Sequence, residues 1–213
     1  MPRARPADRQ VPEVALKKRP SQRRAQVTFD AIVDACARLL PVRGYAGVTT
    51  NHIADAAGVG IASLYEYFPG KDAIVAQVAD RLVHRVIDRL GAAAPDILAG
   101  APERAVHRWI ELIHDTLRRE RKLVAVFVYQ VPYTNRLDSL RAVTPRLVEL
   151  SRTLRRQAGG RIQLADETAS IYLMVNLVSS TILQLILDPP PDISRGELLA
   201  ALARRIATWV AGH

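Results

Sequence analysis

The stretch from Thr49 to Lys71, TTNHIADAAGVGIASLYEYFPGK, constrains the architecture more than any other part of the chain. Ile53, Ala54 and Ala57 fall three and four apart, the spacing of one helical face, and Gly58 follows where that helix has to stop. A residue just past a last helical turn favours a left-handed backbone, which glycine adopts without a Cβ penalty. Val59 then plugs the turn, Gly60 leads out of it, and Leu64 and Phe68 share a face of the next segment, 61–68. Two short helices joined by a tight glycine turn predict a helix-turn-helix. In that motif the second helix enters the major groove of duplex DNA with its first residues against base edges. Ile61, Ala62 and Ser63 occupy that end: a serine hydroxyl can donate or accept, and apolar side chains can meet a thymine methyl.

The flanking residues extend the pattern. The run RGYAGVTTNHIADAAGVGIASLYEYFPGKDAI contains a Gly44–Tyr45 pair, the Thr49–Thr50 pair, Leu-Tyr-x-Tyr-Phe over 64–68, and a Gly70–Lys71 pair opening the next helix. In this order these features resemble the DNA-binding signature of the TetR (tetracycline repressor-like) transcriptional regulators. The resemblance implies an all-α homodimer, with a helix-turn-helix DNA-binding domain followed by a larger helical domain that binds a small effector and dimerises. It also implies phosphate contacts at the positions of Tyr65, Tyr67 and Lys71. Residue chemistry agrees, since phenol hydroxyls reach phosphate oxygens and a lysine at a helix start stands beside free backbone N–H groups. For the two tyrosines, packing within the small domain is the alternative. Thr49 or Thr50 is expected to cap the first helix of the motif, with phosphate contact as a second role.

A chain of 213 residues allows one or two domains with a substantial core. Its net charge of +9 is unevenly spread. Residues 1–24 hold eight basic against two acidic side chains, a net of +6, whereas residues 25–80 hold three against six, a net of −3. An acidic DNA-reading unit suggests that the basic arm supplies attraction to phosphate, because neutralising phosphates releases counterions; a solubilising tail is the alternative. No uncharged apolar run of 18 residues and no signal segment are read in the chain, so a soluble cytoplasmic protein with no membrane partner is expected. The one cysteine, Cys36, lies on an apolar helical face with Phe29, Ile32, Val33 and Leu40, which predicts a buried structural thiol.

In chain order, the prolines at 2, 6, 12 and 20 predict a disordered basic arm over 1–22. A DNA-binding domain over 23–70 follows, opened by a helix capped by Ser21 and kinked or ended early by Pro41. Residues 71–213 form the effector-binding and dimerisation domain, and a helix over 71–90 belongs to both. Residues 91–102, rich in Ala, Gly and Pro, read as a loop. Helices are expected from Pro102 to about Arg119, across the apolar run 123–131, and over 138–158 with a break at Pro145 and a stop at Gly159–Gly160. Residues 166–187 are apolar on all sides, and Ser194 with Glu197 makes a capping box for a last helix to about 211. Two such helices from each of two subunits would form a four-helix interface over 166–187 and 194–211, which is where the resemblance places the dimer contact; completing the monomer's own core is the alternative.

His107, Glu111 and His114 share one helical face, but the surrounding charged run reads as a solvated surface, and no metal or cofactor is expected. No phosphate-binding glycine loop, nucleophile elbow or His-Glu-x-x-His occurs, so an enzyme has no residues to rest on. Effector-pocket candidates, chosen as aromatic or polar groups among apolar neighbours, are Trp109, Phe127, Tyr129, Tyr133, Tyr172 and Asn176. The reading is a sequence-specific regulator, a repressor released from operator DNA by a small molecule. Its rivals are a non-specific architectural DNA-binding protein, and a small-molecule-binding helical protein that does not use its DNA motif.

Overall fold

The computed structural model describes residues 13–158, 164 and 166–210. Ten α-helices occur among them: α1 Arg23–Gly47, α2 Thr50–Ala57, α3 Ile61–Tyr67, α4 Lys71–Leu98, α5 Pro102–Arg119, α6 Arg121–Tyr129, α7 Asp138–Arg141, α8 Val143–Gln157, α9 Glu167–Leu187 and α10 Arg195–Val210. The stop expected at Gly159–Gly160 lies outside the described residues.

Two apolar cores organise these helices. The first gathers Ile32, Leu40, Ile53, Leu64, Phe68 and Ile74 from α1 to α4, and α6 closes it with Leu123, Val126 and Phe127. The second joins the far end of α4 to α5, α9 and α10 through Leu90, Ile110, Ile182, Leu202 and Ile206. Cys36 is fully buried in the first core, and burial pushes its thiol from 9.0 up to about 12.

Helix α1 does not break at Pro41 as expected. It runs through the proline, with Gln22 rather than Ser21 at its amino end, and its one non-helical residue is Gly44 (φ 69°, ψ 166°). That conformation is closed to residues with a side chain, and it turns the Tyr45 N–H out of the helix to donate to Gln130 Oε1 at 3.0 Å. The turn after α2 follows the expected chemistry. Gly58 is left-handed (φ 67°), its N–H donates to Asp55 O, and Val59 N–H donates to Ala54 O, both at 3.1 Å. This double closure satisfies carbonyls that the helix end would leave free.

The loop expected over 91–102 is helical as far as Leu98, and α4 passes through Gly91 and Pro95. Leu90, Ala94 and Ile97 are buried at spacings of four and three, so packing against the second core outweighs the local cost of glycine and proline. At 28 residues, α4 spans about 42 Å and serves both cores. The apolar run 123–131 is helical up to Tyr129, as expected. The 138–158 segment divides at Ala142 rather than at Pro145, which sits in the first turn of α8 where its missing N–H costs nothing.

Helix α9 is 21 residues long and is long and apolar enough to cross a bilayer by length and composition, a feature the expectation for this chain overlooked. Within the single chain it is covered on one side. Ile171, Val175, Val178 and Ile182 are buried, whereas Tyr172, Leu173 and Leu177 are exposed. Its amino end is capped by Asp166, which accepts from Ala169 N–H at 3.1 Å. The capping box of α10 forms as read: Ser194 N–H donates to Glu197 Oε2 at 2.9 Å and Glu197 N–H to Ser194 Oγ at 3.2 Å.

The two left-handed glycines differ in surroundings. A Cβ on Gly44 would lie 2.7 Å from Gln130 Oε1, while one on Gly58 would meet nothing within 4 Å. Gly44→Ala is therefore expected to destabilise by roughly 2–3 kcal/mol and Gly58→Ala by roughly 1 kcal/mol in denaturant unfolding.

Candidate nucleic-acid interface and cavity

Helix α3 is held by Leu64 and Phe68, both fully buried, and this leaves Ile61, Ala62 and Tyr65 exposed and Ser63 half-buried at its amino end and outer face. Thr49 caps α2, accepting from His52 N–H at 3.2 Å. Thr50, the next residue, is 3.1 Å from the Tyr65 hydroxyl through its Oγ1, so these two exposed hydroxyls form one polar point across the two helices.

Tyr67 and Lys71 are placed differently from Tyr65. Tyr67 is 7% exposed, with its ring edge-on to Phe29 at 6.0 Å, and it belongs to the first core. Lys71 does open α4, but its Nζ donates to Tyr45 O at 2.9 Å and lies 4.1 Å from the Tyr45 ring centroid. The ammonium is thus engaged in closing the Gly44 turn. Gly70 offers α4 no side-chain cap, so the first-turn amides of that helix keep their attraction for anions.

Part of the presumed arm is ordered against this unit. Lys17 N–H donates to Tyr67 O at 2.9 Å, and Lys17 Nζ donates to Tyr65 O at 3.3 Å and lies 5.9 Å from the Tyr65 ring centroid. Val14 and Leu16 pack on the first core beside it. Their alternating apolar pattern, Val-Ala-Leu before Lys17, was the available signal within a proline-bearing basic stretch. The acidity of 25–80 is also partly accounted for: Arg81, just beyond that window, pairs with Asp30 and, at 2.9 Å, with Asp34.

A third acid of this window, Asp72, lies at the start of α4. Asp72 Oδ1 accepts from Tyr45 OH at 2.6 Å and from Tyr133 OH at 2.8 Å, and the two rings meet edge to face at 5.9 Å. Burial, followed by the hydrogen bond to Asp72, raises the Tyr45 phenol from 10.0 to about 12, and the same causes raise Tyr133 further.

An apolar cavity of about 160 Å³ lies in the second core, among α4, α5, α8, α9 and α10. Of the six residues expected to line a pocket, Trp109 alone does so. Phe127 is in the first core, Tyr133 is at the Asp72 joint, and Tyr129 and Tyr172 are exposed. Asn176 Nδ2 donates to Tyr172 O at 2.8 Å on the outer side of α9. The lining is instead aliphatic, with Ile110, Leu147, Leu150, Ile171, Met174 and Val175 among its members. On α5, His107 faces Glu111 at 3.4 Å, while His114 is buried with its Nδ1 3.1 Å from Asp115 Oδ1, so the three do not converge.

This arrangement defines a helix-turn-helix protein with a separate apolar cavity, joined by one long helix. Residues 32–78 match the family model described as bacterial regulatory proteins, tetR family. An uncharacterized HTH-type transcriptional regulator of Mycobacterium tuberculosis is 38% identical over 101 residues, 47% of this chain and 48% of that protein. The HTH-type transcriptional regulator EthR of Mycolicibacterium smegmatis is 30% identical over 86 residues, 40% of this chain and 39% of that protein. The chain thus spans about half the length, or less, of the curated relatives it matches. A TetR transcription regulator from Haloarcula marismortui shares the fold at a TM-score of 0.66 and 16% identity, over 88% of this chain and 98% of that one. Over residues 32–78 the chain is thus similar to bacterial regulatory proteins of the tetR family.

The tyrosine joint carries a pH signature. The unfolded chain loses the Tyr45 proton near pH 10, whereas the native chain holds it to about 12, so stability present below pH 10 is lost as pH rises through that window. Cys36 adds a loss of the same sign from 9.0 to about 12. Urea midpoints measured against pH should therefore fall above pH 9, and Tyr45→Phe should flatten the decline above pH 10 while lowering stability at pH 7 by about 1 kcal/mol.

Proposed function

We propose that this chain is a sequence-specific DNA-binding transcriptional regulator, a cytoplasmic homodimer that represses by holding an operator and leaves it when a small molecule fills the apolar cavity. One observation carries the reading. The exposed amino end of α3 sits on a rigid two-helix unit fixed to the first turn of α4, and the far end of that same helix lines the cavity through Ala94, Ile97 and Leu98.

In this reading Ile61, Ala62 and Ser63 meet base edges, while Thr50, Tyr65 and the first-turn amides of α4 hold phosphate oxygens. Lys17 adds positive charge beside Tyr65. Tyr67 and Lys71 support the interface from behind: one fills the core, and the other clamps the backbone of Tyr45. Residues 23–70 act as the DNA-binding domain and 71–213 as the effector and dimerisation domain, with α6 bearing on both.

The second copy is assigned to the uncovered faces of α9 and α10. Tyr172, Leu173 and Leu177 on α9 and Trp209 on α10 are exposed apolar groups that an isolated chain leaves in water. Pairing these helices across a two-fold axis buries them in a four-helix interface. It also places two α3 helices for successive major-groove faces, about 34–36 Å apart or a multiple of that. Release requires that the effector bind more tightly to a conformation in which α4 has moved and this spacing no longer fits.

Titration of the purified protein against its own upstream DNA and a scrambled control, across a salt series, tests the reading. Ser63→Ala and Ile61→Ala are expected to cost roughly 1–3 kcal/mol on the operator and far less on the control. Tyr65→Phe is expected to weaken both alike. Equal, steeply salt-dependent binding of wild type to both DNAs would instead mark a non-specific DNA-coating protein.

A further inference from the structure

Arg155 on α8 is the one charged residue among the described residues that line the apolar cavity. Its Nη1 forms an ion pair with Glu167 Oε2 at 2.9 Å, across to the first turn of α9. Its Nε, by contrast, is buried and has no hydrogen-bond partner among the described residues. A buried guanidinium N–H without an acceptor is costly, and an acceptor arriving with a ligand would remove that cost.

The shape of the guanidinium narrows the acceptor. Nε–H and Nη2–H lie along one edge, a fork that matches the two oxygens of a carboxylate, and Glu167 occupies the other end. Because Glu167 already offsets the arginine charge, a single negative charge fits the site better than a phosphate dianion. The remaining walls are aliphatic apart from Trp109 and the Ser151 and Ser179 hydroxyls. The cavity, about 160 Å³, is close to the size of an engineered cavity of about 150 Å³ that stays dry and takes up benzene.

We propose that the effector is a monocarboxylate with an apolar acyl or aryl body, the body lying between Ile110 and Val175 and the carboxylate on the Nε–Nη2 edge of Arg155. This rests on the reading of the cavity as the effector site. Its chemistry can nevertheless be tested on the free protein, without DNA.

Octanoate and 3-phenylpropanoate would be titrated calorimetrically, each against its neutral primary amide. Both acids are expected to bind roughly tenfold or more tightly than their amides, and Arg155→Met should erase that preference while leaving amide affinity within about twofold. Glu167→Gln, which frees Nη1 and removes a nearby negative charge, should tighten acid binding several-fold and provides a second variant if Arg155→Met does not fold. Equal affinity for acid and amide, or an Arg155→Met protein that keeps the preference, overturns the carboxylate assignment; no binding of any of the four compounds overturns the site. Operator release is read separately by fluorescence anisotropy. Acid binding that leaves the operator complex intact keeps the carboxylate site and rejects its effector role, whereas release that is indifferent to Arg155 keeps the regulator and rejects the carboxylate.

Discussion

The joint between α1, α4 and the segment after α6 depends on one carboxylate. Asp72, in the first turn of α4, accepts hydrogen bonds from Tyr45 at the end of α1 and from Tyr133 beyond α6. Each of the three groups comes from a different part of the chain, and each lies where burial makes an unpaired polar group costly. The surrounding contacts reinforce the joint. Gly44 turns the backbone so that Tyr45 can face Asp72, Gln130 receives the Tyr45 N–H, and Lys71 closes on the Tyr45 carbonyl. Removing Asp72 would take away the acceptor that both phenols share, leaving the Tyr45 N–H bond to Gln130 to tie α1 to the segment after α6.

From this joint α4 runs on into the second core, so the two ends of one helix report on different sites. Its first half contributes Ile74, Val78 and Leu82 to the core under α2 and α3, and its last turns contribute Ala94 and Ile97 to the cavity wall. Along α4, a change in cavity contents reaches the helix-turn-helix only if it shifts that helix between discrete packings, because close-packed cores do not deform smoothly. The Asp72 joint is where such a shift would meet resistance: its hydrogen bonds keep their geometry only while α1, α4 and the Tyr133 turn stay in register.

The helix-turn-helix was legible in the sequence because its signals are local. A glycine at a left-handed position, a threonine cap and apolar spacings of three and four are each set by a few neighbouring residues. The roles of Tyr67 and Lys71 were not legible in the same way. Both have the right chemistry for phosphate, but one packs on Phe29 and the other folds onto Tyr45, and these partners lie 38 and 26 positions away. The helix over 91–98 was missed for a similar reason, since its glycine and proline argue for a loop until the burial of Leu90, Ala94 and Ile97 is known. Aromatic residues are the sequence signal for a cavity, whereas the space of this one is opened by small residues, Ala94, Gly100, Ala105 and Ser179, and walled by aliphatic ones. Residue type pointed to what could contact a ligand, and helical phase decided what did face the cavity.

Helix α9 shows that phase most clearly. Ile171, Met174, Val175 and Val178 recur at the spacings of one face and line the cavity, while Tyr172, Leu173 and Leu177 occupy the other and are exposed. Its nearly uniform apolar composition hides this division, because a hydrophobic residue is equally acceptable against a core, a ligand or a second subunit. Only the thickness of one helix, about 10 Å, then separates an occupant of the cavity from a copy docked on the outer face. Glu167, in the first turn of the same helix, holds the arginine whose buried Nε has no partner among the described residues. Ligand recognition, subunit contact and the cavity wall are therefore all carried by α9 in this reading, just as DNA contact and the same cavity wall are joined by α4. In the proposed dimer, a ligand that moved α9 would alter subunit spacing even if α4 stayed still, a second mechanical route from the cavity to the separation of the two α3 helices.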